Sequence, residues 1–174
     1  LAVAPNTELE REAHVELGDR ALDAERWADA ETHFAAVAAG GGSLAALARY
    51  KQGFAALKHG NAATATEALA ALLALPGLPQ EIADDGLAQL AKALRMGGGA
   101  PAAEQFLAAH PNPPYEHGLL LALAEQENDD GAFDRAARSW RLALERAPKL
   151  PENVDLAQRI LTAALELKLE DPRL

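Results

Sequence analysis

The sequence predicts an all-α protein of antiparallel helix pairs, on three observations. A small residue followed four positions later by a large apolar one recurs as Ala30/Phe34, Ala65/Leu69, Ala102/Phe106 and Ala136/Trp140, at intervals of 35, 37 and 34 residues. Upstream of each lies a second helical segment with its own small residues: Gly18 and Ala21, Gly53 and Ala56, Ala88 and Ala91, then Ala124 with Glu127. The connectors "DAERWADA", "KHGNAATA", "RMGGGAPA" and "NDDGAFDR" recur between the two segments. Three carry glycine, the residue that most readily takes the left-handed conformation ending a helix.

Taken in order, an N-terminal extension of residues 1–10 leads into pairs at about 11–39, 44–76, 80–110 and 116–148, and a last helix follows at 152–170. Thr7 stands three residues before Glu10, the spacing of a capping box, so the first helix starts near it. Trp27, Ala30 and Phe34 in the first pair, and Phe133, Ala136 and Trp140 in the fourth, share an i, i+3, i+7 face. Ala136, like Gly18, is expected to be a packing residue at a helix crossing. The longer interval before the third anchor is read as "GGG" adding about two residues to that pair's turn, which a loop absorbs easily. "AAHPNPPYEHG" breaks the helix between the third and fourth pairs. The last helix has Leu156, Ile160, Ala163 and Leu167 on one face. It reads as a cap with a polar outer face, or as the first helix of a truncated fifth pair.

With these residues, positions 11–149 resemble the tetratricopeptide repeat family, whose repeat is 34 residues of two antiparallel helices. The first pass matches with His14, Leu17, Gly18, Ala21, Ala30, Phe34 and Val37. The second keeps Gly53, Ala56, Gly60, Ala65, Leu69 and Leu72. The third rests on Ala102 and Phe106, and the fourth on Leu123, Ala124, Gly131, Ala136, Trp140, Ala143 and a closing Pro148. The resemblance implies a right-handed α-solenoid, each pair covering its neighbour, with the last helix as cap.

Composition agrees with thin layers. Ala accounts for 42 of 174 residues, so a thick central core would be hard to fill, whereas close helix crossings suit small side chains. The formal net charge of −10 argues against a nucleic-acid partner, which needs clustered Lys and Arg. Residues 1–38 carry −6 and residues 39–75 carry +2. No cysteine is present, so there is no disulfide or thiolate chemistry and both cytoplasm and periplasm stay open. "ALAALLALPGLP" is too short and too broken by proline to insert in a membrane. "LAVAPNTELERE" reads as the cut edge of a longer or processed chain.

No motif for catalysis, a cofactor or a metal emerges. Ser43 and Ser139 sit in no nucleophile motif, and no two of His14, His33, His59, His110 and His117 have the spacing of H-E-x-x-H. His14 is expected to pack partly in the core, while His59 and His110 fall at helix ends. "GGGAPA" formally fits a dinucleotide fingerprint but follows a helix, not a strand. "ENDDGAFD" lacks the glutamate that closes a calcium loop, that place being Ala137. The adjacent acids Asp84-Asp85 and Asp129-Asp130 read as solvated or capping groups.

In the family, the first helix of each pair lines a concave groove that holds partner segments. By register, the groove positions here are Val15, Asp19 and Leu22; Leu47, Tyr50, Phe54 and Leu57; and Leu121, Glu125 and Asn128. The third pass offers either Asp85 and Gln89 or Leu87 and Ala91. Tyr50, Phe54 and Leu57 form an apolar stripe, with Asp19, Asp23, Glu125 and Asp129 as an acidic rim. A chaperone-type carboxylate clamp is disfavoured, since Lys51 is the lone basic candidate. The expectation is a non-catalytic scaffold or adaptor that binds another protein through an amphipathic or basic-flanked segment, with self-association open. The alternatives are an envelope assembly factor of a secretion, pilus or motility system, and a regulatory domain of a larger enzyme. The excess of Arg over Lys, eleven to five, hints at a bacterial source with a GC-rich genome.

Overall fold

A computed structural model describes residues 7–147 and 153–170. Among them run nine helices and no strand, as expected: α1 Glu8–Asp23, α2 Trp27–Ala39, α3 Ala45–His59, α4 Ala62–Leu73, α5 Gln80–Met96, α6 Ala100–Ala109, α7 Glu116–Asp129, α8 Phe133–Arg146 and α9 Asn153–Glu170. Residues 1–6 of the expected extension, Pro148, and the side chain of Leu167 lie outside the described residues. The chain forms two compact units, with the boundary between Ala93 and Leu94, in the last part of α5.

Local chemistry starts and stops the helices. The Thr7 hydroxyl accepts from the Glu10 N–H at 3.2 Å, and the Thr7 N–H donates to the Glu10 carboxylate at 2.9 Å, completing the capping box. Asn61 caps α4 by accepting from the Thr64 N–H at 3.2 Å.

Within each pair the turn makes the same backbone hydrogen bonds. The N–H of Arg26 donates to Ala21, Asn61 to Ala56, Gly99 to Leu94 and Ala132 to Glu127, at 2.8–2.9 Å. Those four turn residues in turn accept, at 3.0–3.1 Å, from the N–H of Ala30, Ala65, Ala103 and Ala136. The residue before each, namely Glu25, Gly60, Gly98 or Gly131, has positive φ. Three are glycine, which adopts that conformation without a Cβ clash, and Glu25 adopts it despite its side chain.

This frame corrects the third pass. Its anchor is Ala103 with Leu107 four residues on, one position beyond the expected Ala102 and Phe106. Ala103 is fully buried while Ala102 is half-buried. In the first helix, the counterpart of Gly18, Gly53 and Ala124 is Ala91, three residues before Leu94, whereas Ala88 is exposed. Nor does "GGG" lengthen the turn: nine positions separate Ala21 from Ala30, Ala56 from Ala65, Leu94 from Ala103 and Glu127 from Ala136. The additional residues lie between Ala65 and Leu94, in the α4–α5 connection and the 17-residue α5.

Packing in the first unit is governed by volume. A Cβ on Gly18 would lie 2.7 Å from Phe34 Cζ, and one on Gly53 would lie 2.6 Å from Leu69 Cγ. The large residue of each second helix thus sits over the glycine of its first. Phe34 is fully buried with Ala21, Ala30 and Ala55, so α1, α2 and α3 share one cluster. Burying such a ring is worth about 1.5–3 kcal/mol. In the second unit α7 packs on α8, α8 on α9, and α6 on α7 and α8. Leu156 and Ala163 of α9 are buried, but Leu161 and Leu165 remain 62% and 53% exposed, so the outer face of this helix is not the polar one expected of a cap.

Candidate functional site

In the first unit, α3 and α5 flank a cleft of about 480 Å³ lined by Ser43, Ala46, Leu47 and Tyr50 on one side and Glu81, Ile82 and Asp85 on the other. Its lining is dominated by apolar surface: Leu47 and Ile82 are 42% and 38% exposed, high for side chains of this size. Helical spacing presents them together. Leu47 and Tyr50 are three apart on α3, and so are Ile82 and Asp85 on α5. The Tyr50 hydroxyl donates to the Asp85 carboxylate and so ties the two walls. That bond to an anionic acceptor favours the protonated phenol and pushes the Tyr50 pKa up to about 12, with burial adding to the effect.

The expected groove residues separate. Leu47 and Tyr50 line the cleft. Phe54 is half-buried beneath the Lys58 ammonium, 5.5 Å from the ring centroid, and Leu57 is buried in the core. The apolar stripe therefore turns inward along α3, leaving its N-terminal half accessible. Val15, Leu22 and Leu121 are half-buried. Asp19 pairs with Lys51, and Glu125 pairs with Arg159 at 3.0 Å, so half of the expected acidic rim is neutralised. Asp23 and Asp129 are exposed. Neither expected pair of the third pass holds the places of Tyr50 and Phe54: the turn frame puts Ala88 and Lys92 there. Asp85 reaches the cleft all the same. Glu81 and Ile82 were not anticipated. The available signal was the 35-residue interval from Leu47 to Ile82, repeated from Tyr50 to Asp85.

In the second unit Glu125, Asn128, Asp129, Trp140, Asp155 and Arg159 are among the residues bordering a cleft of about 490 Å³. Arg159 is held between Glu125 and Asp155, which keeps its guanidinium protonated. Deeper in this unit Glu127 is fully buried. Its Oε2 accepts from the Ser139 hydroxyl at 2.6 Å, and its Oε1 has no hydrogen-bond partner among the described residues. Oε1 lies where a Cβ on Gly99 would come within 2.3 Å, so this carboxyl fits because Gly99 has no side chain. Burial raises the Glu127 pKa, opposed by the Ser139 hydrogen bond. Neither residue reaches a surface, so the pair does structural work.

The histidines are dispersed. The Nδ1 atoms of His14 and His33 lie 3.0 Å apart, within hydrogen-bond distance, between α1 and α2. His59 ends α3 beside Glu31, and His110 stacks on Phe106 at the end of α6. Among the described residues, no group of three His, Asp or Glu side chains converges to hold a metal ion, and no helix is long and apolar enough to cross a membrane. Compared with protein-family models, curated proteins and solved structures, the chain matches none.

Proposed function

We propose that the protein is a non-catalytic interaction scaffold. Its helix pairs are of the tetratricopeptide kind, stacked within each unit in that family's solenoid manner, and its task is to hold a segment of another protein. The turn frame repeated four times, with a small residue under a large one at Gly18/Phe34 and Gly53/Leu69, supports the repeat reading. The observation that carries the binding reading is the α3–α5 cleft, where two large aliphatic side chains stay in water beside an ordered tyrosine. A partner gains by covering them, since removal of apolar surface from water is worth roughly 25 cal/mol per Å². An apolar, preformed cleft with an aromatic side chain in its wall suits such an interface.

The experiment is site-specific photo-cross-linking in cells of the source organism. A cross-linking residue at Leu47 or at Ile82 should give one dominant protein adduct, while the same residue at Arg138, on the exposed face of α8, should not. Adducts of equal yield at all three positions, or none at the cleft, would overturn the reading.

A further inference from the structure

We propose that the α3–α5 cleft selects its partner by a cation: an ammonium or guanidinium received by Glu81 and Asp85, next to a branched aliphatic group seated on Leu47, Tyr50 and Ile82. The inference rests on the cleft being the binding site and adds the chemistry that the site prefers.

Three observations carry it. First, unpaired negative charge and exposed aliphatic surface coincide here. Asp19 is matched by Lys51 and Glu125 by Arg159, whereas neither Glu81 nor Asp85 pairs with a cation among the described residues. Second, none of the seven residues lining the cleft is basic, so an entering cation meets no competitor. Third, Asp85 is positioned by a neutral donor. The Tyr50 hydroxyl orients the carboxylate and leaves its charge uncompensated. The N-terminus of α5 offsets only part of this field, since a helix end contributes about half an elementary charge against two full ones. An incoming ammonium would convert a solvated carboxylate into a charge-assisted hydrogen bond at a partly desolvated wall, where it is stronger than in water. An acidic partner would instead face like charge on the same wall. At about 480 Å³ the cleft takes a few side chains and no more, which fits one aliphatic anchor and its charged neighbour.

The test uses three small probes with one branched five-carbon skeleton: isoamylamine, isoamyl alcohol and isovalerate. Each is titrated into the methyl-labelled protein, and the NMR shifts of the Leu47 and Ile82 methyls are followed. The alcohol should shift both methyls, the amine should bind about fivefold tighter or more, and isovalerate should bind more weakly than the alcohol. In the double variant Glu81→Gln, Asp85→Asn the advantage of the amine over the alcohol should vanish. Asparagine still accepts from Tyr50, so the wall is preserved. If the alcohol binds and the amine gains nothing, or if its advantage survives in the double variant, cation selection is wrong and the cleft stands as an apolar site. If neither alcohol nor amine moves these methyls, the binding reading fails with it.

Discussion

The first unit closes its helix pairs over glycine, and the second buries a carboxyl group beside the equivalent turn. In α1 and α3 there is no room for a methyl group at Gly18 or Gly53 beneath Phe34 and Leu69. In α7 the residue on the turn frame is Glu127, where α1 and α3 have Ala21 and Ala56. The backbone hydrogen bonds are the same, so the frame itself does not demand a small residue there. What decides is the opposite surface. Gly99 leaves space for Glu127, and Ser139 supplies a donor. One unit is thus sensitive to volume and the other to protonation.

The largest expected effect lies at the volume-sensitive crossing. Phe34→Ala removes a fully buried ring over Gly18 and should cost about 3–5 kcal/mol. Urea denaturation monitored at Trp27 would read it, and a loss under about 1 kcal/mol would show that the crossing collapses onto the cavity.

In the second unit the counterpart is Gly99→Ala. The new Cβ would meet Glu127 Oε1 at 2.3 Å, at a φ of 73° that side chains rarely adopt. The combined cost should be about 2–3 kcal/mol. Adding Glu127→Ala should return part of it, with a coupling of about 1 kcal/mol in the double-mutant cycle. Strict additivity would mean that the carboxyl does not define this contact.

A smaller effect separates protonation from volume. Burial raises the Glu127 pKa, so folding favours the neutral acid. Below the ordinary value of 4.5 the group is protonated in both states and costs nothing. As pH rises from there through the folded-state pKa, the unfolded chain ionises first and this group's contribution turns against folding. Glu127→Gln keeps an acceptor for Ser139 and removes the titration. It should gain about 1 kcal/mol on wild type between pH 4 and pH 8, read as the difference in urea midpoints. A difference independent of pH would show that the Glu127 pKa is the same in the folded and unfolded chain.

The smallest effect compares the four turns. Glu25 holds a φ of 54° where the other passes have Gly60, Gly98 and Gly131. Glu25→Gly should stabilise by roughly 0.5–1 kcal/mol, the relief of left-handed strain exceeding the added freedom of the unfolded chain. A loss of stability would mean that the glutamate side chain contributes more than its backbone costs.

Much of the fold was legible because the signals were local. Thr7 and Glu10 announce a helix start from four consecutive residues, and glycine before a helix announces the left-handed turn. The third pass was misread for a physical reason. Ala102 and Ala103 are adjacent and identical, so composition cannot say which one faces the neighbouring helix. Only the hydrogen bond from the Ala103 N–H to Gly99 decides it. The site was half legible. Leu47 and Tyr50 could be placed on one face of α3 by spacing, but their facing wall depends on how far α5 extends, and that depends on residues inserted well before it.

The sequence alone determined the helices, the order of the pairs and the absence of a recognisable catalytic motif. Each of these follows from contacts within one or two turns of chain. Tertiary structure decided which apolar side chains are covered. Leu57 and Leu47 lie ten residues apart on one helix, and one is buried while the other faces a cleft. It also decided which charges are matched. Asp19 finds Lys51 32 residues away, and Glu125 finds Arg159 34 residues away, whereas Glu81 has no such partner among the described residues. Exposure and pairing are properties of surfaces brought together from distant parts of the chain, and no local pattern encodes which surfaces meet.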